Sequence, residues 1–172
     1  AERPIVLSLS PGPAPVENVR HLRKSCQMWR ISADFWDNWE SLKHQFELCR
    51  KWQDHIMPGH WPDADMLPIG PMAQRAMRGE PRPTNFTVDE QYTLMTLWAM
   101  FRSPLMLGCN LPEMDDFTLK LVTNDDVLEI NRASVGNREL FSEDGIIAWY
   151  ASDEDMASHY VAVFNTTDED IV

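Results

Sequence analysis

Short apolar runs alternate with segments of helical periodicity over the first 110 residues of the chain. The apolar runs, each bounded by turn-forming residues, predict buried strands at IVLSLS (5–10), CQMWRIS (26–32), HIMPG (55–59) and PLMLGCN (104–110). Apolar positions three and four residues apart predict helices over 16–25, from Trp39 to about Trp52, and from Thr87 to Ser103. Strand–helix units that follow one another in this way predict a parallel sheet with helical crossovers.

The pattern changes at three later points. A proline-rich stretch from His60 to Phe86 has no clear period and predicts a long structured loop, after which Thr87 and Glu90 have the spacing of a capping box. Two short helices are predicted at DDFTLKLVT (115–123) and DDVLEINRA (125–133). After Gly136, the runs GIIAWYAS (145–152) and SHYVAVFNTT (158–167) predict antiparallel strands. We interpret them as the start of a different, β-rich module that the chain does not complete.

Charge and cysteine content narrow the possible partners. The formal net charge is −12, with acidic residues spread along the chain, which argues against nucleic acid as a partner because phosphate binding needs clustered Lys and Arg. No apolar run is long enough to span a bilayer, so no membrane partner is expected. Cys26, Cys49 and Cys109 show no zinc-binding spacing and predict free, buried thiols. The compartment and the oligomeric state stay open.

Aromatic and acidic residues are concentrated in one part of the sequence. Of seven tryptophans, five fall between Trp29 and Trp61, and the stretch WRISADFWDNW (29–39) mixes three of them with Arg30, Asp34 and Asp37. Part of this set serves an ordinary core. Sugar-binding clefts have the same composition, because a pyranose presents an apolar C–H face to rings and a rim of hydroxyls to polar groups such as Asp and Arg.

Candidate chemistry follows from the predicted strands. In a barrel of parallel strands the site is built at the carboxyl ends of the strands. The side chains after the four predicted strands are Ser8 and Ser10, then Arg30 and Asp34, then His60, Trp61, Asp63 and Asp65, then Cys109 and Asn110. Several converging carboxylates indicate glycoside hydrolysis, which needs one carboxyl as general acid and a second carboxylate as nucleophile or base.

Some of these residues also have a purely structural interpretation. Asp37 stands just before a predicted helix, which favours a role as its N-terminal cap. Asp63 and Asp65 are placed to hold the proline-rich loop through Asx turns, and Arg30 fits a structural ion pair as well as it fits chemistry.

A metal site is a weaker alternative. It would use His55, His60, Asp63 and Asp65, but their spacing matches no standard zinc or calcium pattern. We therefore expect no metal ion at these residues.

Several separate motifs resemble glycoside hydrolase family 27, the α-galactosidase family. They are IVLSLS, WRISADFWDNW, PGHWPDADMLPIG, LWAMFRSPLMLGCNL and NDDVLEINRAS, in the order and at the spacing of that family, over about residues 3 to 135. The resemblance implies an α/β fold, namely the second half of a (β/α)8 TIM barrel (about strands 5 to 8), followed by the start of an antiparallel β-sandwich domain. The implied domains are 1–135, the carboxyl-terminal half of the catalytic barrel, and 136–172, the first strands of an incomplete β-domain.

The resemblance also implies roles for residues at matching positions. Asp34 falls on the general acid/base, and Arg30 on the arginine that hydrogen-bonds sugar hydroxyls. Asp65 and Met66 fall on residues that line the sugar pocket, and we add Trp61 as a further substrate-binding candidate. The implied reaction is a retaining double displacement on a terminal α-linked galactose, in which Asp34 protonates the leaving oxygen and later deprotonates water. The resemblance implies that this reaction needs no metal and no organic cofactor.

Three departures from the family pattern qualify these roles. The family's nucleophile lies in a Lys-x-Asp segment on strand four, which this sequence lacks, so we expect the chain alone to be inactive. Ser10 stands where galactose-cleaving members carry a glutamate, and a smaller side chain there resembles members that accept N-acetylgalactosamine. Leu9 stands where some members place a cysteine paired with the position of Cys26, so that disulfide is not expected.

Two other classes of function compete with the enzyme. One is a carbohydrate-binding relative that has lost catalysis, although a binder has no need of an acid at Asp34. The other is a structural β/α domain whose tryptophans only build a core. The second predicts no sugar binding and no effect of an Asp34→Asn change.

Overall fold

The computed structural model describes residues 3–73 and 79–170. Residues 3–70 contain three strands and two α-helices, in the order β1 (Ser8–Leu9), α1 (Val19–Ser25), β2 (Met28–Arg30), α2 (Trp39–Trp52) and β3 (Trp61–Asp63). A short hairpin and three helices follow, namely β4 (Pro71–Met72), β5 (Arg82–Pro83), α3 (Val88–Phe101), α4 (Asp116–Val122) and α5 (Asp125–Ala133). Three longer strands come last, β6 (Val135–Glu143), β7 (Ile146–Ser152) and β8 (His159–Asn165). Residues 74–78 of the predicted proline-rich loop lie outside the described residues.

The first three strands form a parallel sheet in the order β1-β2-β3, with α1 and α2 as the crossovers. Ser8 pairs with Met28, and Arg30 pairs with Asp63, so the carboxyl ends of β2 and β3 lie side by side. This confirms the predicted parallel arrangement for the first half of the chain.

Two predicted strands are wrong as placed. Residues 53–55 form a 3-10 turn, and Met57 and His60 close a tight turn through mutual backbone hydrogen bonds, so the third strand begins only at Trp61. The segment 104–110 forms a single parallel bridge between Leu107 and Leu67 instead of a strand. Pro68, next to Leu67, has no N–H to extend that ladder.

The predicted burial of residues 5–10 is also wrong for three of the four apolar members, whereas Leu9 is partly buried against the core. Ile5, Val6 and Leu7 are exposed. The described residues place no further strand beside β1, so one edge of the parallel sheet is open.

The predicted helices are confirmed within a few residues. In α3 the Thr87 side chain accepts a hydrogen bond from Glu90 N while the Glu90 carboxylate accepts one from Thr87 N, which is the predicted capping box. None of the described helices is long and apolar enough to cross a bilayer. All three cysteines are free thiols, as predicted, and Cys26 and Cys49 are buried, whereas Cys109 is only partly buried.

The last three strands form an antiparallel sheet, β6-β7-β8, which packs on the helices. Phe164 of β8 meets Phe46 of α2 edge-on, with ring centroids 4.9 Å apart, and Trp149 of β7 meets Phe101 of α3 at 6.2 Å. Strands β7 and β8 were predicted from their apolar runs. Strand β6, with the polar sequence VGNRELFSE, was not, because it has no apolar run to reveal it.

Arg102 holds the end of α5 against the end of α3. It caps α3 with φ of 56° and donates to the carbonyl oxygens of Asn131 (3.0 Å), Ser134 (2.6 Å) and Arg132 (2.6 Å). Its guanidinium also lies 4.8 Å from the centroid of the Trp61 ring. Arg102 therefore satisfies carbonyls that α5 leaves unpaired at its end.

We expect Arg102→Gly to lower the free energy of unfolding by about 2–4 kcal/mol, because several hydrogen bonds from one charged group are lost together. Glycine accepts the positive φ, so the change reports on the lost contacts and not on backbone strain. Urea unfolding measures the loss. Arg132→Ala is the control, since Arg132 is exposed and its pair with Glu129 is worth less than about 1 kcal/mol. Equal losses in the two variants would contradict the role of Arg102.

Candidate active site

The candidate site lies where the carboxyl ends of β2 and β3 meet. Arg30 is the last residue of β2 and is only 8% exposed. Its Nη2 lies 2.9 Å from Asp65 Oδ2 and 3.6 Å from Asp34 Oδ1, and it donates to the carbonyl oxygen of Ser32 at 3.3 Å. One buried guanidinium thus holds together two carboxylates that are 31 residues apart in sequence.

Asp65 connects the two loops of the site. Its Oδ2 also accepts a hydrogen bond from Phe35 N at 2.7 Å, and its side chain is 14% exposed. Its backbone is left-handed, with φ of 80°, which is uncommon for a residue other than glycine. Trp98 Nε1 donates to the Asp65 carbonyl oxygen at 2.9 Å.

Asp34 presents its carboxylate to the surface, with 68% of the side chain exposed. The next residue, Phe35, is buried between Phe86 and Trp98, with centroid distances of 6.1 and 5.1 Å. The loop is therefore anchored one residue beyond Asp34, and the carboxylate beside Arg30 stays accessible. A proton donor needs this combination of fixed backbone and open approach.

Asp63 is the buried carboxyl of the group, 5% exposed, and its Oδ1 accepts a hydrogen bond from Asp65 N at 2.9 Å. This is the Asx turn predicted from the sequence. Burial raises the pKa of Asp63 to about 6, and the charge of Asp65 adds to the shift, while the hydrogen bond from Asp65 N and the charge of Arg30 oppose it.

The raised pKa of Asp63 makes folding stability depend on pH. Below pH 3.8 the carboxyl is neutral in both the folded and the unfolded state. As pH rises from 3.8 to about 6, the carboxyl ionises more readily in the unfolded chain than in the folded protein, so the free energy of unfolding falls. We expect Asp63→Asn to remove a loss of about 3 kcal/mol between pH 4 and pH 7. Urea unfolding at several pH values measures the slope.

Asp37→Asn is the control for that slope. The pKa of Asp37 is lowered, so its contribution is present above pH 3.8 and is lost as pH falls below that value. The two variants should therefore differ from wild type in opposite pH ranges. An Asp63→Asn protein with the wild-type slope between pH 4 and pH 7 would contradict the assignment.

The prediction that Asp37 caps α2 is wrong. Asn38 is the cap, and its Oδ1 accepts a hydrogen bond from Ser41 N at 2.9 Å. The buried carboxylate of Asp37 instead accepts hydrogen bonds from both terminal nitrogens of Arg82, at 2.5 and 3.0 Å, and from Asn85 N at 2.6 Å. Burial alone would raise the pKa of Asp37, but these hydrogen bonds outweigh it and hold the pKa below its usual value.

The other predicted site residues lie at different distances from this cluster. Exposed Ser10 follows β1 at the same edge of the sheet. Its loop touches Arg30, since a Cβ on Gly12 would lie 2.9 Å from Arg30 Cβ and 2.3 Å from Ser32 O. Met66 is half-buried beside Gly108, where a Cβ would come within 2.7 Å of Met66 Sδ.

Trp61 is not brought together with the others. It begins β3, pairs with Met28, and lies under Arg102 at the amino end of the sheet. Its substrate-binding role stays a prediction that this position does not favour. Within 3–73 and 79–170, no group of three or more His, Cys, Asp or Glu side chains is arranged to hold a metal ion.

Sequence reasoning missed two residues that fix the loops of the site through hydrogen bonds. Gln45 is buried in α2, and its Nε2 donates to Ser32 Oγ (3.1 Å) and to the Ala64 carbonyl oxygen (3.0 Å). Ser103 Oγ accepts a hydrogen bond from Ala64 N at 3.0 Å. The available signal was Gln45 itself, a polar residue on the face of α2 that otherwise carries Leu42, Phe46 and Cys49.

Comparison with known proteins shows which family the chain resembles. A family profile described as alpha galactosidase A matches residues 3–133. Alpha-galactosidase D of Emericella nidulans is 32% identical over 83% of this chain and 20% of its own length.

Two solved structures are more similar still. A family 27 β-L-arabinopyranosidase from Geobacillus stearothermophilus is 46% identical, with a TM-score of 0.93, over 98% of this chain and 39% of that one. A putative α-N-acetylgalactosaminidase from Bacillus halodurans is also 46% identical, with a TM-score of 0.79, over 98% of this chain and 38% of that one. The chain thus spans less than half the length of the proteins it matches. It belongs to glycoside hydrolase family 27, the α-galactosidase family of glycosidases.

Proposed function

We propose that this chain supplies the acid/base half of the active site of a retaining exo-glycosidase. The observation that carries the proposal is the exposed carboxylate of Asp34 held beside the buried guanidinium of Arg30, which is itself paired with Asp65. A carboxyl that is open to substrate and backed by a fixed cation suits proton transfer to a leaving oxygen and then from water.

Arg30 and Asp65 are proposed to hold the sugar. Their mutual ion pair and the hydrogen bond from Phe35 N fix both side chains before substrate arrives. Ser10 and Met66 are proposed to line the same pocket. The loop that contains Ser10 touches Arg30, and Met66 directly follows Asp65 in the sequence.

The second carboxylate is proposed to lie in a preceding part of the full-length protein. Retaining glycosidases place their two carboxyl groups about 5–5.5 Å apart. Asp65 is tied to Arg30 and Phe35 N, and Asp63 is buried, so neither suits attack on a sugar. By resemblance the nucleophile is the Asp of a Lys-x-Asp segment on barrel strand four, and we expect the 172-residue chain alone to show no turnover.

The assignment of the strands to a barrel and of the last residues to a second domain is also a proposal, and it agrees with a nucleophile on a preceding barrel strand. We assign β1, β2, β3 and the segment 104–110 to barrel strands five to eight, with the exposed edge at Ile5, Val6 and Leu7 facing strand four. We assign 136–172 to the start of a β-sandwich domain. The outer face of its sheet exposes Phe141, Val161 and Val163, which further strands of such a domain would cover.

For the substrate we propose a terminal pyranoside with the hydroxyl arrangement of galactose. Within that class a β-L-arabinopyranoside is favoured, because the enzyme named for it is 46% identical with a TM-score of 0.93 and a variant of it has been solved in complex with arabinose. This sugar is α-galactose without its C6 hydroxymethyl group. α-Galactosides are the second candidate, supported by the named relatives. α-N-Acetylgalactosaminides are the third, supported by the name of the Bacillus halodurans structure and by the small side chain expected from Ser10 beside a 2-acetamido group.

The test is hydrolysis of three 4-nitrophenyl glycosides by the full-length protein that carries this chain. They are the β-L-arabinopyranoside, the α-D-galactopyranoside and the α-N-acetylgalactosaminide. We expect the highest kcat/KM on the first, with retention of anomeric configuration seen by proton NMR. Inversion would contradict the mechanism. Binding of arabinose or galactose without turnover of any of the three glycosides would favour the non-catalytic carbohydrate-binding alternative.

A further inference from the structure

We propose that Asp63 is the positioning residue of this site: it holds Asp65 in the backbone conformation from which Asp65 can grip both Arg30 and the loop of Asp34. The inference rests on the proposed function and assigns a role within the same site. It concerns a residue that contacts no reacting atom and acts only through Asp65.

The first step is the conformation of Asp65. Its φ of 80° is unfavourable for a residue with a side chain and persists only where neighbouring groups hold it. Both polar groups of its backbone are held. Asp63 Oδ1 accepts the hydrogen bond from Asp65 N at 2.9 Å, and Trp98 Nε1 donates to Asp65 O at 2.9 Å.

The second step is what this conformation achieves. Asp65 Oδ2 lies 2.9 Å from Arg30 Nη2 and 2.7 Å from Phe35 N, so a single carboxylate oxygen joins the end of β2 to the residue after Asp34. A rotation of the Asp65 backbone would break both contacts together. The position of Asp34 relative to Arg30 therefore depends on the hydrogen bond to Asp63.

The third step is that Asp63 is built for support and not for contact with a sugar. It belongs to strand β3, where it pairs with Arg30 across the ladder, and it is nearly fully buried. Asp65 and Arg30 are the charged groups that act on it. Ala64, between the two aspartates, is fixed through Gln45 and Ser103, so the segment has a rigid base.

The experiment compares Asp63→Ala and Asp63→Asn in the full-length protein. Alanine removes the acceptor for Asp65 N, whereas asparagine keeps an oxygen in its place. We expect Asp63→Ala to lower kcat/KM on the best aryl glycoside 10- to 100-fold, through both a lower kcat and a higher KM, because displacement of catalytic groups by about 1 Å has effects of this size. Asp63→Asn should recover to within about threefold of wild type.

Asp37→Ala is the matched control, because Asp37 is a buried aspartate whose carboxylate is engaged with Arg82 and with the backbone N–H of Asn85. It should lower thermal stability while leaving KM near wild type. If Asp63→Ala and Asp37→Ala show the same kinetic parameters, or if Asp63→Asn is as impaired as Asp63→Ala, the positioning role is wrong.

A crystal structure of the Asp63→Ala protein separates this inference from the proposed function. We expect the Arg30–Asp65 contact of 2.9 Å and the Phe35 N contact of 2.7 Å to be lost or lengthened by about 1 Å. Retention of both contacts would overturn the inference whatever the activity. Wild-type protein without turnover on any glycoside would overturn the proposed function, while the crystallographic result would still decide the role of Asp63.

Discussion

Asp34→Asn in the full-length protein is expected to lower kcat/KM for a glycoside with a sugar leaving group by about 10²- to 10⁴-fold, the usual contribution of a general acid. Asparagine keeps the volume of the side chain and its polarity but cannot deliver a proton. Since Asp34 is largely exposed and anchored through Phe35, the change should leave the fold intact. Steady-state kinetics on a disaccharide measure the loss.

The leaving group provides the internal control for this prediction. A 2,4-dinitrophenyl glycoside needs little protonation of its departing oxygen, so its first step should be much less impaired than that of the disaccharide. Asp37→Asn is the matched variant, because Asp37 lies three residues further along and is engaged with Arg82. A loss of the same size on both substrates, or none on either, would exclude Asp34 as the proton donor.

Arg30→Ala is expected to lower the free energy of unfolding by about 3–5 kcal/mol and to abolish detectable sugar binding. Removal of the guanidinium leaves the carboxylate of Asp65, only 14% exposed, without its ion pair at 2.9 Å. An uncompensated charge in such surroundings costs this much in other proteins. Urea unfolding and calorimetric titration with arabinose or galactose are the measurements.

A double variant separates the stability effect from the binding effect. Arg30→Ala combined with Asp65→Asn replaces the unpaired carboxylate of Asp65 with a neutral amide. Part of the lost stability should therefore return, while sugar binding stays absent. If the single and double variants are equally unstable, the ion pair is not what Arg30 contributes to the fold.

The local sequence was sufficient where neighbouring residues decide the structure. The capping box at Thr87 and Glu90 and the apolar spacing of α2 involve contacts within one or two helical turns, and both are confirmed. The local pattern failed where a distant partner decides. Asp37 matches a helix cap as well as Asn38 does, but Arg82 and Asn85 N, 45 and 48 residues away, bind its carboxylate instead.

Strand positions show the same division. Apolar runs predicted β2, β7 and β8 correctly, because burial selects such residues. The run 104–110 has the same composition, yet it forms one bridge because its partner segment offers a proline after Leu67. A strand requires a neighbour with available N–H and C=O groups, and composition does not reveal the neighbour.

The sequence by itself determined the family, the parallel sheet of the first half and the choice of Arg30, Asp34 and Asp65 as candidates. These follow from periodicity and from motifs contained in short segments. Only the tertiary structure decided that Asp65 joins Arg30 to the loop of Asp34, that Asp63 is buried with a raised pKa, and that Trp61 lies at the opposite end of the sheet. The reason is physical: ion pairing, burial and desolvation depend on which groups meet in space, and here the decisive partners are separated by about 30 to 45 residues of sequence.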